Sequence, residues 1–356
     1  KSMEPLERAL ECCVRQNLRD LAYTVDLNAI QQAKDKPSRA MRLAIVAESV
    51  DDLKGKLRQA RQDLKKNPES VKNSHGIYFS AKPLAQEGKI AFLFPGQGSQ
   101  RPDMLRDLTI IFPEMRQCFC KADQVLADRL PKRLSEYIFP PPGFTPEEEN
   151  ARLAELTRTD IAQPALAATE MGMLGVLKSF GIVADMVAGH SSGEYAALSA
   201  AGVFSEESLY DILHYRGTAI LEMESKDLGT MLAVMASPDD IEIVIYDMPD
   251  VYMANFNSPT QTVLAASKAL LQEAKFRLEA RGITCQYIAV NCAFHSPYMK
   301  PARSKLAQKI SSTHFNKPSV SLYSNSLARL YPTDKEEMIS CLSDHLIGPV
   351  RFRQEI

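Results

Sequence analysis

The run Gly189-His190-Ser191-Ser192-Gly193 constrains this chain more than any other stretch. The apolar segment GIVADMVA leads into it, and the alanine-rich segment EYAALSAAG leads away. An apolar run, a serine bounded by glycines and a helix-forming run predict a strand, a sharp turn and a helix in that order. The chemistry gives the glycines a reason, because a serine exposed on so tight a turn needs neighbours without bulky Cβ groups. The helix behind it would aim free N–H groups and its positive dipole end at the serine, which favours a developing anion. The competing reading is a glycine-bounded loop; the flanking strand and helix weigh against it.

A serine is a poor nucleophile without a base. The chain has six histidines, at 75, 190, 214, 295, 314 and 345. His190 adjoins the serine, and on a tight turn its ring points elsewhere. His295 lies in VNCAFHSPYM, between an apolar run and a Ser-Pro turn, a placement that suits a cleft. On pattern alone it leads the others without excluding them.

The surrounding chain reads as α/β. Residues 1 to 88 alternate helix-like and strand-like stretches, with Ser49 or Asp51 opening a helix over DDLKGKLRQARQDLKK, and KPLAQEGK reads as a linker. KIAFLFPGQGSQ is a buried strand running into Pro-Gly-Gln-Gly. Thr145-Pro146-Glu147-Glu148 predicts a capped helix start, and QPALAATEMGMLGVLKSFG a helix ending at glycine. Between 228 and 290, GTMLAVMAS, VYMANFNSP, QTVLAAS and CQYIAVN alternate with two helical stretches in β-α-β-β-α-β order, which predicts a ferredoxin-like insert.

The formal net charge of -2 gives no general attraction to nucleic acid or anionic membrane, so neither is expected as a partner. No apolar run reaches the roughly 20 residues of a membrane helix. KSMEPLERALECC resembles no signal peptide. The seven cysteines have neither disulfide nor zinc spacing. Free thiols, a cytoplasmic location and no metal are expected.

Six stretches, in order, resemble the malonyl-CoA:acyl carrier protein acyltransferase family, in the form found as acyltransferase domains of type I polyketide synthases. They are FLFPGQGSQ, TDIAQPAL, GHSSGEYAALSAAGVF, HYRGTAILEM, ANFNSPTQTV with CAFHSPYM, and SNS followed by HLIGPVRF. Residues 1 to 88, particularly RLAIVAESVDDLKGKL, are similar to the linker joining a ketosynthase to its acyltransferase. The resemblance implies four segments: a linker domain over 1–88, a large subdomain over 89–227 and 291–356, and a small subdomain over 228–290. The expected fold is an α/β-hydrolase-like large subdomain with a parallel sheet, an inserted ferredoxin-like small subdomain and a small N-terminal α/β domain.

By position, the resemblance makes Ser191 the nucleophile and His295 its base. A main-chain carbonyl near His345 orients the histidine in place of an aspartate. The backbone N–H groups of Gln97 and Ser192 form the oxyanion hole. Arg216 holds the substrate's free carboxylate, with Gln163 as a polar neighbour. A planar guanidinium forks onto a carboxylate through two charge-assisted bonds. Cys292-Ala293-Phe294-His295 implies malonyl selectivity, with Phe294 beside the acyl α-carbon and Ala293 next to it. His190 is without a clear role, and Asn255 and Asn257 either shape the seam between subdomains or make turns. Expected partners are malonyl-CoA, an acyl carrier protein bearing the phosphopantetheine arm, and the ketosynthase and other domains of a parent synthase. No bound cofactor is expected; the CoA thioester is a substrate. The rival readings are a thioester hydrolase on the same scaffold, a methylmalonyl-selective enzyme, a free-standing fatty-acid enzyme and a non-enzymatic docking scaffold.

Overall fold

The computed structural model describes residues 18–35, 43–73, 75–82, 88–223, 228–290 and 292–356. The start of the first predicted helix, Cys12 and Cys13, and most of KPLAQEGK lie outside these. The chain divides into two units, Lys1–Lys89 and Ile90–Ile356.

In the first unit, helix α1 (Leu18–Asp35) precedes β1 (Leu43–Ile45), α2 (Val50–Lys66), β2 (Ser70–Lys72) and β3 (Ile77–Ser80). The strands form an antiparallel sheet in the order β1-β3-β2. Of the two candidate openers of α2, Ser49 is the cap: its hydroxyl accepts from the Asp52 N–H at 3.1 Å. Ala60 of α2 packs on Val71 and Ile77 of the sheet, closing a small core.

In the second unit the order is β4 (Ala91–Phe94), α3 (Arg106–Ile111), α4 (Pro113–Val125), α5 (Leu134–Ile138), α6 (Pro146–Thr157), α7 (Thr159–Ser179), β5 (Met186–Gly189), α8 (Gly193–Ala200) and α9 (Glu206–Leu221). Then come β6 (Thr230–Val234), α10 (Pro238–Ile245), β7 (Tyr252–Ser258), β8 (Gln261–Ala266), α11 (Lys268–Glu279) and β9 (Cys285–Tyr287). The chain continues with α12 (Lys300–Ser311), β10 (Ser321–Ser324), β11 (Arg329–Leu330), α13 (Lys335–Asp344) and α14 (Phe352–Glu355).

The central sheet runs β11-β10-β5-β4. Strands β4, β5 and β10 are parallel, as expected, but β11 turns back antiparallel on β10, so the sheet is mixed. The reversal is a short hairpin whose Ala328 takes φ 50°. The four strands β6 to β9 form the second sheet, antiparallel, in the order β7-β8-β6-β9, the ferredoxin-like arrangement. Period-2 alternation splits its side chains between two layers. Leu232, Val234 and Leu264 face α10 and α11 in one core, while Met231, Val263 and Ala265 face the large core of the unit. This second face floors the cleft that holds the candidate site.

Two helix details place the site. Thr145 caps α6 as expected, accepting from the Glu148 N–H at 3.2 Å, but the Glu148 carboxylate returns to the Phe144 N–H at 2.7 Å, one residue before the cap. Helix α7 contains Pro164, which has no N–H for the carbonyl of Asp160. The His214 ring on α9 occupies that carbonyl instead, at 3.1 Å. Beside it, a Cβ on Gly217 would stand 2.4 Å from the Asp160 Cα, so the glycine lets α9 lie directly on α7. The contact sets Arg216 against Gln163.

Candidate active site

Ser191 sits between β5 and α8 with φ 55°, a left-handed conformation that costs a non-glycine residue energy. Its surroundings impose it. A Cβ on Gly189 would meet the Gly193 carbonyl carbon at 2.2 Å, and one on Gly193 would meet the Phe94 oxygen at 2.2 Å. Asn325, at the end of β10, braces the same turn. Its Oδ1 accepts from the Ser191 N–H at 2.7 Å and its Nδ2 donates to the Gly189 carbonyl.

His295 has φ 59° and is almost fully buried. Its N–H donates to the Leu346 carbonyl at 3.1 Å. Its Nδ1 lies 2.8 Å from the His345 carbonyl oxygen, and its Nε2 lies 2.6 Å from the Ser191 Oγ. A carbonyl can only accept, so Nδ1 carries the proton and Nε2 presents its lone pair to the serine hydroxyl. Burial pushes the imidazolium down to about 3, and the nearby Arg216 charge pushes the same way. The ring is therefore neutral, able to take a proton at physiological pH. The expected carbonyl is that of His345 itself.

Arg216 is 2% exposed. Its Nη1 donates to the Gln163 Oε1 at 2.6 Å, and Gln163 in turn donates from Nε2 to the Thr159 hydroxyl at 2.6 Å. The Nε and Nη2 atoms, which share one edge of the guanidinium plane, make no hydrogen bond among the described residues, and the Tyr195 ring lies beside them, 5.7 Å from Cζ to its centroid. The Phe294 ring lies over the guanidinium, 5.6 Å from Cζ to its centroid. Burial lowers the Arg216 pKa, and the group stays a cation. Ser191, His295, Arg216 and Phe294 meet around a cavity of about 70 Å³, whose opposite wall includes Met231 and Val263 of the second sheet.

Gln97 and Ser192 also meet. The Gln97 N–H donates to the Ser192 hydroxyl at 3.1 Å, while the Ser192 N–H donates to no backbone carbonyl among the described residues. An oxyanion drawn to both N–H groups would displace that hydroxyl, a rotation about one bond. Ala293 is fully buried behind Phe294, its N–H on the Leu228 carbonyl at 2.7 Å. Asn255 and Asn257 lie on β7 rather than in turns, and both line the cavity. The Asn257 Oδ1 accepts from the His190 Nε2–H at 2.8 Å, so His190 ties the serine's turn to the second sheet.

Sequence reasoning missed Asn325 and Thr159. Asn325 lies in the SNS stretch, where an asparagine ending a strand was the available signal. Among the described residues, no three His, Cys, Asp or Glu side chains are placed to hold a metal ion, and no helix is long and apolar enough to cross a membrane.

A family model described as the acyl transferase domain matches residues 91–356. The chain is 31% identical over 336 residues to a polyunsaturated fatty acid synthase polypeptide of Thraustochytrium sp., covering 90% of this chain and 12% of that protein. It is 34% identical to malonyl CoA-acyl carrier protein transacylase of Bacillus subtilis, covering 75% of this chain and 82% of that protein. Among solved structures, the acyltransferase domain from the second module of the salinomycin polyketide synthase is similar with a TM-score of 0.71 at 26% identity, over 96% of this chain and 78% of the other. A type II polyketide synthase malonyl-transacylase, solved with its acyl carrier protein, matches with a TM-score of 0.67 at 31% identity, over 74% of this chain and 83% of that one. The chain thus spans about an eighth of the fatty acid synthase polypeptide that it resembles over most of its own length.

Proposed function

The chain belongs to the acyl transferase domain family, and from that premise we propose that it carries a malonyl group from malonyl-CoA to the phosphopantetheine thiol of an acyl carrier protein, through an ester on Ser191. The His295 Nε2 takes the hydroxyl proton as Ser191 attacks the thioester carbonyl. The oxyanion lies against the N–H groups of Gln97 and Ser192 at the start of α8, where the helix dipole assists. The tetrahedral intermediate collapses, the C–S bond breaks, and His295 returns the proton to the CoA thiolate. The carrier thiol repeats the sequence on the ester and regenerates Ser191. Every proton moved in this scheme is held by Ser191, His295 or a thiol.

The observation that carries the malonyl reading is Arg216. A buried guanidinium with its Nε/Nη2 edge unpaired, on the cavity that holds the serine, matches the two oxygens of a free carboxylate. Phe294, beside both Arg216 and His295, fills the space an α-methyl branch would need. Residues 1–88 are read as the linker to a ketosynthase, and the parent synthase as the supplier of the carrier protein.

The test compares Arg216→Ala with wild type on malonyl-CoA and acetyl-CoA, read as acyl-enzyme by intact mass. Truncating one partner of a buried charged contact costs about 2–5 kcal/mol, so malonyl loading falls about 30- to 5000-fold. Acetyl, which has no carboxylate, loses much less. Equal losses for both substrates refute a carboxylate-reading Arg216.

A further inference from the structure

A single file of hydrogen bonds joins Arg216 to the loop that follows β4. The Arg216 Nη1 donates to the Gln163 Oε1 at 2.6 Å, and the Gln163 Nε2 donates to the Thr159 hydroxyl at 2.6 Å. The Thr159 hydroxyl donates onward to the Gln97 Oε1 at 3.0 Å, and the Gln97 Nε2 donates to the Thr157 carbonyl at 3.3 Å. A longer contact, 3.4 Å from the Gln163 Nε2 to the Gln97 Oε1, runs the same way. Both ends fix the direction. A guanidinium can only donate and a carbonyl can only accept, so neither amide can be turned over without facing donor to donor or acceptor to acceptor. Arg216, Gln163 and Thr159 are all buried, where a lost partner is costly.

We propose that Thr159 is a positioning residue for the transfer: its hydroxyl ties the arginine that reads the acyl carboxylate to the loop that supplies one N–H of the oxyanion hole. The inference rests on the proposed roles of Arg216 and Gln97. Thr159 is the first residue of α7, one turn before Gln163, so the start of that helix brings two amides to one hydroxyl. Toward Arg216, the hydroxyl holds the Gln163 amide with its oxygen on Nη1, which leaves the Nε/Nη2 edge to the substrate. Toward Gln97, it holds a residue flanked by Gly96 and Gly98. Glycines on both sides give that backbone wide freedom, so the Gln97 N–H is aimed by what its side chain grips. Hydrogen bonds that run in one direction polarise one another, and losing the middle member weakens those on either side. One hydroxyl thus serves a step that every acyl group needs and a contact that only an acyl group with a carboxylate makes.

The experiment measures initial rates of acyl-enzyme formation on the full chain by intact mass, with malonyl-CoA and with acetyl-CoA, for wild type, Thr159→Val, Thr159→Ser and Arg216→Ala. Valine keeps the shape of threonine and removes the hydroxyl. Losing one such hydrogen bond costs about fivefold in rate, so Thr159→Val loads acetyl about fivefold more slowly, through Gln97 alone. It loads malonyl about 25-fold more slowly, through Gln97 and Arg216 together, and the malonyl-to-acetyl ratio falls about fivefold. Thr159→Ser, which keeps the hydroxyl, recovers most of both rates. Adding Thr159→Val to Arg216→Ala slows malonyl only by the factor that acetyl loses, because the carboxylate contact is already gone. An unchanged malonyl-to-acetyl ratio in Thr159→Val, whatever happens to thermal stability, overturns the proposal; so does a serine variant as slow as the valine one. Equal losses on both substrates in Arg216→Ala refute the underlying carboxylate reading. A selective Arg216→Ala beside an unselective Thr159→Val overturns the present inference alone. If Thr159→Val does not fold, Thr159→Ala replaces it, with the same fall in ratio expected and an unchanged ratio overturning.

Discussion

The proposed nucleophile and base, Ser191 and His295, stand 2.6 Å apart, yet the two arms that deliver them are built on different principles. Ser191 is held by close backbone packing around its own turn, with the Asn325 side chain as a brace. Strand β5, two glycines pressed onto backbone and the first turn of α8 leave the serine one place to be. His295 is held by residues fifty positions away, through the carbonyls of His345 and Leu346, on a segment with no regular structure of its own. The serine arm is fixed chiefly by backbone sterics, the histidine arm chiefly by hydrogen bonds. Backbone contacts cannot yield, whereas hydrogen bonds can be exchanged and depend on protonation.

The sharpest break removes the nucleophile. Ser191→Ala abolishes the acyl-enzyme while the fold persists, because alanine fits the turn; intact mass after mixing with malonyl-CoA reads a single adduct on wild type and none on the variant. A stable adduct on the variant would displace Ser191 from its role. Next comes one added methyl on each arm. Gly193→Ala forces a Cβ onto the Phe94 and Pro95 oxygens and costs about 3 kcal/mol, at the upper end of overpacking. Gly348→Ala, on the base arm, meets only the Asp344 oxygen at 3.3 Å and changes stability by less than about 1 kcal/mol. Urea unfolding of both variants decides it, and similar losses would erase the distinction between the arms.

On the proposed reading, Phe294 adds selectivity to the base arm. One methyl in a pocket is worth about 1–3 kcal/mol, so wild type prefers malonyl- over methylmalonyl-CoA by about 10- to 200-fold, and Phe294→Ser narrows the gap. A competition between the two esters, read as acyl-enzyme mass, measures this; a wild type that loads both equally would remove Phe294 from selectivity.

The most gradual effect is in stability against pH. The folded His295 resists protonation down to about 3, while the unfolded chain's histidine binds a proton near 6.5. Below pH 6.5 the unfolded state therefore holds more protons, and stability is lost as pH falls, by about 1.4 kcal/mol per pH unit for this group. His295→Gln flattens the slope by that amount and Ser191→Ala leaves it unchanged. Identical slopes in wild type and His295→Gln would show that the base arm is not buried in solution.

The same division explains what the sequence discloses. The turn at Ser191 is legible because local sterics demand glycines at fixed offsets, and the β-α-β-β-α-β order of the second sheet is legible because alternation and helical spacing are local patterns. The pairing of His295 with a distant carbonyl leaves no such trace, and only the resemblance singled out that position. Arg216 reads as an ordinary helix residue until α7 and α9 are packed. Thr159 was invisible as a link, since a polar residue at the start of a helix looks exposed until its surroundings close over it. The mixed character of the central sheet was missed for a related reason: β11 is two residues long, too short for any periodicity.

The registers of that sheet also set when the protein comes alive. Met186 of β5 pairs with Ala91 on one side and with Ser321 on the other, so a ribosome releases Ser191 long before the strand that flanks it. Asn325 and the His345 carbonyl emerge later still. Parallel strands so far apart in sequence close slowly, since the loop between them must be drawn in before any contact rewards it. A nascent chain therefore exposes the serine before its brace, and a fragment ending before 321 carries the motif without β10, Asn325 or the His345 carbonyl.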